Sequence, residues 1–255
     1  IETFGASHCW PRFGKDVVRS YLTLQRDNYK YLHDQSVRLM NKGETQAEIA
    51  ESLRQPPAIA AQWSNHGYYG TYSHNSKAIY QYYIGWYDGN PANLNLHPPV
   101  ERARKAVAAM GGAAKALAVA KKAMNDGDYR WSSDLLNQIL FADAANTEAR
   151  ALLADSLEQQ GYQAESAIWR NQFLSAARDL REGVKPSNST QGRDMIAAIP
   201  TGLLLDSVAT RLDPAVIGAK SLSLNLVFSD RSETARLSVS NAVMVTEMGK
   251  SHPTP

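Results

Sequence analysis

The sequence predicts a mainly α-helical protein that ends in a smaller α+β domain. Two patterns carry this prediction. Apolar side chains recur at helical spacing over most of residues 15–183, and apolar and polar side chains alternate over 221–248 as they do in strands. Between these two regions lies the polar stretch EGVKPSNSTQGRD, residues 182–194, which has no apolar period. A domain boundary is therefore predicted there.

The composition is that of a globular protein and argues against nucleic-acid binding. The 255 residues are 44% apolar, which is ample for a core in one large or two ordinary domains. The 27 basic and 25 acidic residues give a net charge of +2, and neither sign forms a long run. The basic patch of a nucleic-acid binder is thus missing. One cysteine cannot form an internal disulfide, so it reveals no compartment.

The first long helix is predicted directly after the opening segment. From Lys15 to Gly43 apolar residues recur at helical spacing without proline or an earlier glycine, which predicts a helix of about 28 residues. Thr45 and Glu48 then show the capping-box pattern, in which each side chain satisfies the other residue's free amide. A short helix should follow and end at Pro56.

Aromatic side chains are concentrated between residues 63 and 87. Gly67 and Gly70 indicate a loop that bends or approaches another group closely, and Asp88 should fix a turn in DGNPA. Trp86 and Tyr87 are expected to anchor a helix end in the core. The aromatic residues are Trp63, Tyr68, Tyr69, Tyr72, Tyr80, Tyr82, Tyr83, Trp86 and Tyr87.

Residues 100–183 are predicted to form successive helices. The Ala-rich stretch 106–120 contains Lys115, so a packed helix is expected there rather than a membrane span. Two amphipathic stretches flank the FADAANTEA turn and predict a tetratricopeptide-like hairpin, which Gly161 should close before one further helix.

The C-terminal region is predicted to contain a helix and a β-hairpin. MIAAIPTGLLLDSVATRL predicts the helix, and SLSLNLVFSD and ARLSVSNAVMVTEMG predict two strands joined at DRSET. Two strands are marginally stable alone, so this domain is expected to be incomplete. At the other end there is neither a starting methionine nor a signal peptide, and we expect that an N-terminal part has been removed.

The segment SHCWP places His8 beside Cys9, the only cysteine. A nucleophilic pair is a poor interpretation, because adjacent side chains of a strand point to opposite faces and no residue is placed to orient the imidazole. The histidines at 8, 33, 66, 74, 97 and 252 never occur as H-x-H, H-x-x-H or H-E-x-x-H. Residue type alone therefore leaves His8 as either a lone ligand or a structural imidazole.

The motifs FGASHCWPRFG and NHGYYGTYSHNSKAIYQYYIGWYDGNPANL resemble the alkylsulfatases of the metallo-β-lactamase superfamily, which hydrolyse dodecyl sulfate and related esters. The resemblance runs from residue 1 to about 250. It implies four parts: the end of the catalytic domain, a helical dimerisation domain, a linker, and a truncated α+β domain similar to sterol carrier protein type 2. The corresponding residues are 1–20, 21–183, 184–192 and 193–255.

The resemblance also implies roles for individual residues. His8 would complete one site of a binuclear zinc centre, whose main T-H-x-H-x-D-H motif and glutamate ligands would lie upstream, so the isolated chain should be inactive. Tyr69, His74 or Tyr80 would hydrogen-bond the sulfate or the ester oxygen, although most of these rings could simply pack. His74 could also cap a helix that starts near Ser76.

The implied partners are a second copy of the chain and an alkyl sulfate or another apolar ligand, which the C-terminal hairpin would help to collect. A periplasmic or secreted bacterial location is also implied. Two alternatives from other classes stay open: a helical-repeat interaction module, and a lipid-carrier module without catalytic activity.

Overall fold

A computed structural model describes residues 1–185 and 192–250, apart from the side chain of Cys9. The chain divides into two compact units, Ile1–Lys185 and Pro186–Pro255. Most of the predicted linker and residues 251–255 lie outside the described residues. The predicted limit between residues 20 and 21 falls inside a continuous helix of the first unit.

The first unit opens with a β-hairpin that packs on a long helix. Strands β1 and β2 pair antiparallel and helix α1 follows; they span Thr3–Ala6, Cys9–Phe13 and Lys15–Met40. The ring of Phe4 lies 5.7 Å from that of Tyr21 on α1, and the Arg12 guanidinium lies 5.1 Å from the same ring. These contacts hold the hairpin on the helix. The predicted long helix is confirmed, with 26 residues.

Three shorter helices complete the cleft region, which we define as residues 15–84. Helices α2, α3 and α4 span Gln46–Ser52, Pro57–Ala60 and Tyr72–Ile84. The Thr45 amide donates to the Glu48 carboxylate at 2.8 Å and the Glu48 amide donates to Oγ1 of Thr45, which confirms the capping box. The core of this region consists of Leu32, Leu39, Ile49, Leu53 and Tyr80.

The turn after α4 confirms one prediction and contradicts another. Asp88 accepts hydrogen bonds from the Asn90 amide at 2.9 Å and from Nδ2 of Asn93 at 2.5 Å, which together lower the pKa of its carboxyl group. Asp88 therefore fixes the turn as predicted. The core role for Trp86 is wrong, because this side chain is 69% exposed where it follows Gly85, the residue with a φ of 85° that ends α4.

Helices α5 to α9 form a second helical region, which we call the bundle. They span Pro99–Ala109, Ala113–Asn125, Tyr129–Ala142, Thr147–Gln163 and Ala167–Glu182. Its core contains Leu135, Leu136 and Ile139 of α7 together with small residues such as Ala120 and Ala149. The small side chains let neighbouring helices approach closely.

Glycines divide the bundle differently from the prediction. Gly111 and Gly112, with φ values of 87° and 98°, split the Ala-rich stretch into α5 and α6. Gly161 does not close the α7–α8 hairpin but lies inside α8. A Cβ atom there would lie 2.7 Å from Cδ2 of Leu174 on α9, so glycine is the residue that permits this helix contact.

The described part of the second unit, residues 192–250, contains three helices and a three-stranded antiparallel sheet of order β3-β4-β5. Helices α10 to α12 span Arg193–Ala198, Thr201–Ala209 and Pro214–Ile217, and the strands span Leu222–Phe228, Glu233–Ser240 and Val243–Met248. Pro200 separates α10 from α11, where one helix was predicted. The predicted second strand is in fact two, because Asn241 and Ala242 have φ values of 52° and 59° and reverse the chain. Leu205, Ala235 and Leu237 form the core of this unit.

No helix in the described parts of the chain is long and apolar enough to cross a membrane. The Ala-rich stretch, whose two helices pack in the bundle, agrees with the prediction that it is not a membrane span.

Candidate functional site

A cavity of about 990 Å³ lies in the first unit, between α1 and the loop that precedes α4. Its walls come from the β1–β2 turn, one face of α1, the end of α2, most of residues 63–75, and Glu165. This volume is in the range of small-molecule binding sites. The cavity therefore brings His8 of the N-terminal hairpin together with residues 66–71, which we call the aromatic loop.

His8 lies in the tight turn between β1 and β2 and lines this cavity. His8 is exposed, so its ring is not enclosed by apolar neighbours. The hairpin register, Ala6 opposite Cys9, places His8 at the tip of the turn. An imidazole in this position can bind a metal ion or a polar group that approaches from the open side of the cavity.

A hydrogen-bond network across the cavity floor joins elements that are distant in sequence. The Tyr72 hydroxyl donates to Oδ1 of Asn28 at 2.6 Å, and Nε2 of Gln55 donates to the same oxygen at 3.0 Å. Nε2 of Gln55 also donates to the Asn65 carbonyl at 3.0 Å, and Nε2 of Gln25 donates to Oδ1 of Asn65 at 2.5 Å. These bonds connect α1, α4 and the intervening segment. We call Gln25, Asn28, Gln55, Asn65 and Tyr72 the polar network.

Burial changes the acidity of one member of the polar network. Partial removal from water disfavours the phenolate and raises the pKa of Tyr72 to about 12. Tyr72 is therefore a neutral donor at physiological pH. It can hold Asn28 in place but cannot act as a base there.

The aromatic loop, residues 66–71, is fastened to the start of α9. Oγ of Ser166 donates to the Tyr69 carbonyl at 2.5 Å, and the Ala167 amide donates to the Tyr68 carbonyl at 2.8 Å. Nδ1 of His66 lies 3.0 Å from Oε1 of Glu165, and its Nε2 lies 3.0 Å from the Ala60 carbonyl. The aromatic wall of the cavity is thus held by the bundle.

The structure places the three predicted substrate-binding residues in three different environments. Tyr69 lines the cavity and its side chain is exposed. Nδ1 of His74 accepts a hydrogen bond from Nε1 of Trp169 at 3.1 Å, and His74 is not a lining residue of the cavity. Tyr80 is only 6% exposed and packs in the core of the cleft region. Of the three, Tyr69 alone faces the cavity.

The predicted capping role of His74 is wrong. The helix begins at Tyr72 rather than near Ser76, and Oγ1 of Thr71 accepts the His74 amide at 2.9 Å. Thr71 is therefore the N-cap, and His74 belongs to the first turn.

The polar network was not predicted, although α1 carries a signal for it. Tyr21, Gln25, Asn28 and Leu32 follow one another at intervals of three or four residues, so they share one helix face. Two amide side chains on an otherwise apolar face indicate a hydrogen-bonded interior. Gln55 and Asn65 lie in irregular segments, where spacing carries no such information.

The described residues do not make a metal site by themselves. Within 1–185 and 192–250 no group of three or more His, Cys, Asp or Glu side chains is arranged to hold an ion. Zinc takes three or four protein ligands, so His8 alone does not fit a zinc centre.

Comparison with known proteins gives two family matches along the chain. Residues 45–183, more than half of it, match the alkyl sulfatase dimerisation family, and residues 189–255 match the alkyl sulfatase C-terminal family. The first match covers the greater part of the cleft region and the bundle. The second covers the described second unit.

Individual relatives agree with these matches. The Alkyl/aryl-sulfatase BDS1 of Saccharomyces cerevisiae is 46% identical over 96% of this chain, which covers 38% of that protein. An (R)-specific secondary-alkylsulfatase of a Pseudomonas species is 43% identical over 96% of this chain and 37% of its own length.

A solved structure extends the likeness to three dimensions. The stereoselective inverting sec-alkylsulfatase from a Pseudomonas species superposes with a TM-score of 0.92 at 42% identity, over 99% of this chain and 40% of that chain. This chain therefore spans well under half the length of these three relatives. By its family matches, it belongs to the alkylsulfatases and corresponds to their dimerisation and C-terminal regions.

Proposed function

We propose that this chain is part of an enzyme that hydrolyses alkyl sulfate esters, such as dodecyl sulfate, to an alcohol and inorganic sulfate. The observation that carries the proposal is the shared cavity, which is lined by both His8 of the hairpin and Tyr69 of the aromatic loop. The names of the relatives support the choice of ester. A periplasmic or secreted location of the whole enzyme stays a prediction from the resemblance.

His8 is proposed to be one ligand of a zinc centre whose other ligands come from outside this chain. The support is its exposed position at the tip of a turn that opens on the cavity. Since one imidazole does not hold two zinc ions, no metal-dependent step is assigned to these residues alone. The isolated chain should therefore release no sulfate.

The test is a longer chain in which the upstream region of a Pseudomonas alkylsulfatase precedes Ile1. Sulfate release from dodecyl sulfate and bound zinc are measured together. His8→Ala should lose activity and zinc, whereas His97→Ala should change neither, because His97 lies away from the cavity beside Glu101. Full activity and zinc in the His8 variant would remove the ligand assignment.

The chain is further proposed to form a homodimer through an exposed aromatic surface at the end of α4. Tyr82, Tyr83 and Trp86 expose 82%, 53% and 69% of their surface, and they lie within the residues matched by the dimerisation family. Large apolar side chains at the surface are typical of contacts between proteins.

Sedimentation analysis at several concentrations tests this surface. Trp86→Glu combined with Tyr82→Glu should shift the chain to monomer, and Leu203→Glu in the second unit should not, although Leu203 is also a large apolar residue with 63% exposure. A dimer that survives the double substitution would place the interface elsewhere.

A second candidate function is carriage of an apolar ligand by the second unit. Leu222 and Leu224 lie on the same sheet face as Leu226 and Phe228, which pack near the core, yet they remain 41% and 51% exposed. Titration with a fluorescent long-chain alcohol tests it. Leu224→Asp should weaken binding, and Val227→Asp on the opposite face should not.

A further inference from the structure

Arg54 occupies a fixed place in the wall of the cavity. It lies two residues after the end of α2, between Leu53, which is buried in the core of the cleft region, and Gln55, which belongs to the polar network. Both neighbours are anchored by contacts that do not involve Arg54. The backbone at Arg54 is therefore held at the cavity surface while its side chain is exposed.

The charges around the cavity leave Arg54 without an acidic partner. It is the one lysine or arginine among the described lining residues. The acidic lining residue, Glu165, is engaged by His66 at 3.0 Å, and Glu51 in the last turns of α2 pairs with Arg130 at 2.9 Å. Within the described residues no ion pair involves Arg54; its Nη1 donates only to the Leu53 carbonyl, at 3.2 Å. A permanent positive charge with free N–H donors thus faces the cavity.

Aromatic surface lies in the same cavity. The rings of Trp63 and Tyr68 are 5.5 Å apart, and that of His66 stacks on Tyr68 at 5.6 Å. These rings give a hydrocarbon chain an apolar surface to pack on. The Arg54 guanidinium, which lines the same cavity, can donate two parallel hydrogen bonds to the oxygens of a tetrahedral anion.

We propose that Arg54 recognises the anionic head of the ligand, so that the cavity selects an alkyl sulfate over the corresponding neutral alcohol. The proposal rests on the proposed function for the identity of the ligand. Its physical consequence is a difference in affinity between ester and alcohol, which would let the alcohol leave once the sulfate has been removed.

Ligand binding to this 255-residue chain tests the proposal without any hydrolysis of the ester. Octyl sulfate, below its micelle concentration, and 1-octanol are titrated while tryptophan fluorescence is followed, because Trp63 lies in the cavity. Trp63→Phe should abolish the signal. The variants are Arg54→Met, Arg54→Lys and, as a matched control, Arg104→Met, which removes an exposed arginine of α5 that has no acidic partner among the described residues.

The unaltered chain should bind octyl sulfate more tightly than octanol. Arg54→Met should raise the Kd for octyl sulfate roughly tenfold and leave that for octanol unchanged, in line with the loss of a charged hydrogen bond. Arg54→Lys keeps the charge and should lose less, and Arg104→Met should lose nothing. Folding is checked by comparing unfolding curves.

Two results would overturn the assignment: equal affinity of the unaltered chain for ester and alcohol, or an octyl sulfate Kd within twofold of the original in Arg54→Met. A loss in Arg54→Lys as large as in Arg54→Met would overturn recognition by charge. These outcomes are separate from failure of the proposed function, which would appear as no sulfate release from the longer chain.

Discussion

The cleft region and the bundle are both helical, but different interactions hold them together. In the bundle, apolar side chains such as Leu136 and Ile139 are fully buried between helices that follow one another in sequence. In the cleft region, α1 and α4 also enclose an apolar core, but beside it the polar network links residues across the cavity floor. The apolar contacts fill space, whereas the hydrogen bonds keep a space open.

This difference shows how one compact unit can combine rigidity with a binding cavity. An apolar core gains stability from complete packing, so it has no room for a ligand. Directional hydrogen bonds hold their partners at fixed distances and tolerate an opening beside them. Substitutions in the two regions should therefore lower the free energy of unfolding by different amounts, and their effects should spread over different lengths of the chain.

The largest expected effect is that of a cavity in the bundle. Leu136→Ala removes a side chain with 0% exposure and should lower the free energy of unfolding by about 3 kcal/mol. Denaturant unfolding followed by circular dichroism measures it. Leu94→Ala, at an exposed position, is the control and should change little. Similar losses from both would show that the bundle core does not dominate stability.

Overpacking of the bundle should have a smaller effect. Gly161→Ala forces Leu174 to move and should cost about 2 kcal/mol of unfolding free energy. Gly192→Ala is the matched control, since a Cβ atom there meets open space and its φ is −66°. If the Gly161 variant is as stable as the original chain, α8 and α9 are not in fixed contact at this point.

Loss of the central amide should weaken the cleft region locally. Asn28→Ala leaves Tyr72 and Gln55 without their shared acceptor and should cost about 1.5 kcal/mol. Amide exchange should become faster near residues 53–72 and stay unchanged in the bundle. Asn171→Ala, on the exposed surface of α9, is the control. If amide exchange became equally faster in the cleft region and in the bundle, the polar network would not stabilise the cleft region separately.

The smallest effect should appear at alkaline pH. Because the folded-state pKa of Tyr72 is raised to about 12 from an ordinary 10.0, its contribution to stability is complete below pH 10.0 and is lost as the pH rises through about 12. Tyr72→Phe should make stability less dependent on pH in that window. Absorbance of tyrosinate and unfolding curves provide the measurement. If the free energy of unfolding depended on pH in the same way in the original chain and in Tyr72→Phe, the predicted contribution of Tyr72 would be refuted.

The bundle could be predicted from sequence, and the cavity could be predicted only in part. Periodic apolar residues predict α1 and the α7–α8 hairpin because burial of one helix face is a local property of the chain. The burial of Tyr80 and the bond between Trp169 and His74 depend on residues far away in sequence, which no local pattern contains. The turn at Asn241 was missed because Asn-Ala is a weaker turn signal than Asn-Gly.

The attachment of the aromatic loop to α9 has a consequence for how binding can be observed. The Ala167 amide donates to the Tyr68 carbonyl, and Tyr68 lines the cavity. A ligand that restricts the motion of Tyr68 is expected to stabilise this hydrogen bond and so to slow exchange at the Ala167 amide, although Ala167 itself does not line the cavity. The rate of hydrogen exchange at this one amide of α9 would then report whether the cavity is filled, and the ligand would need no label.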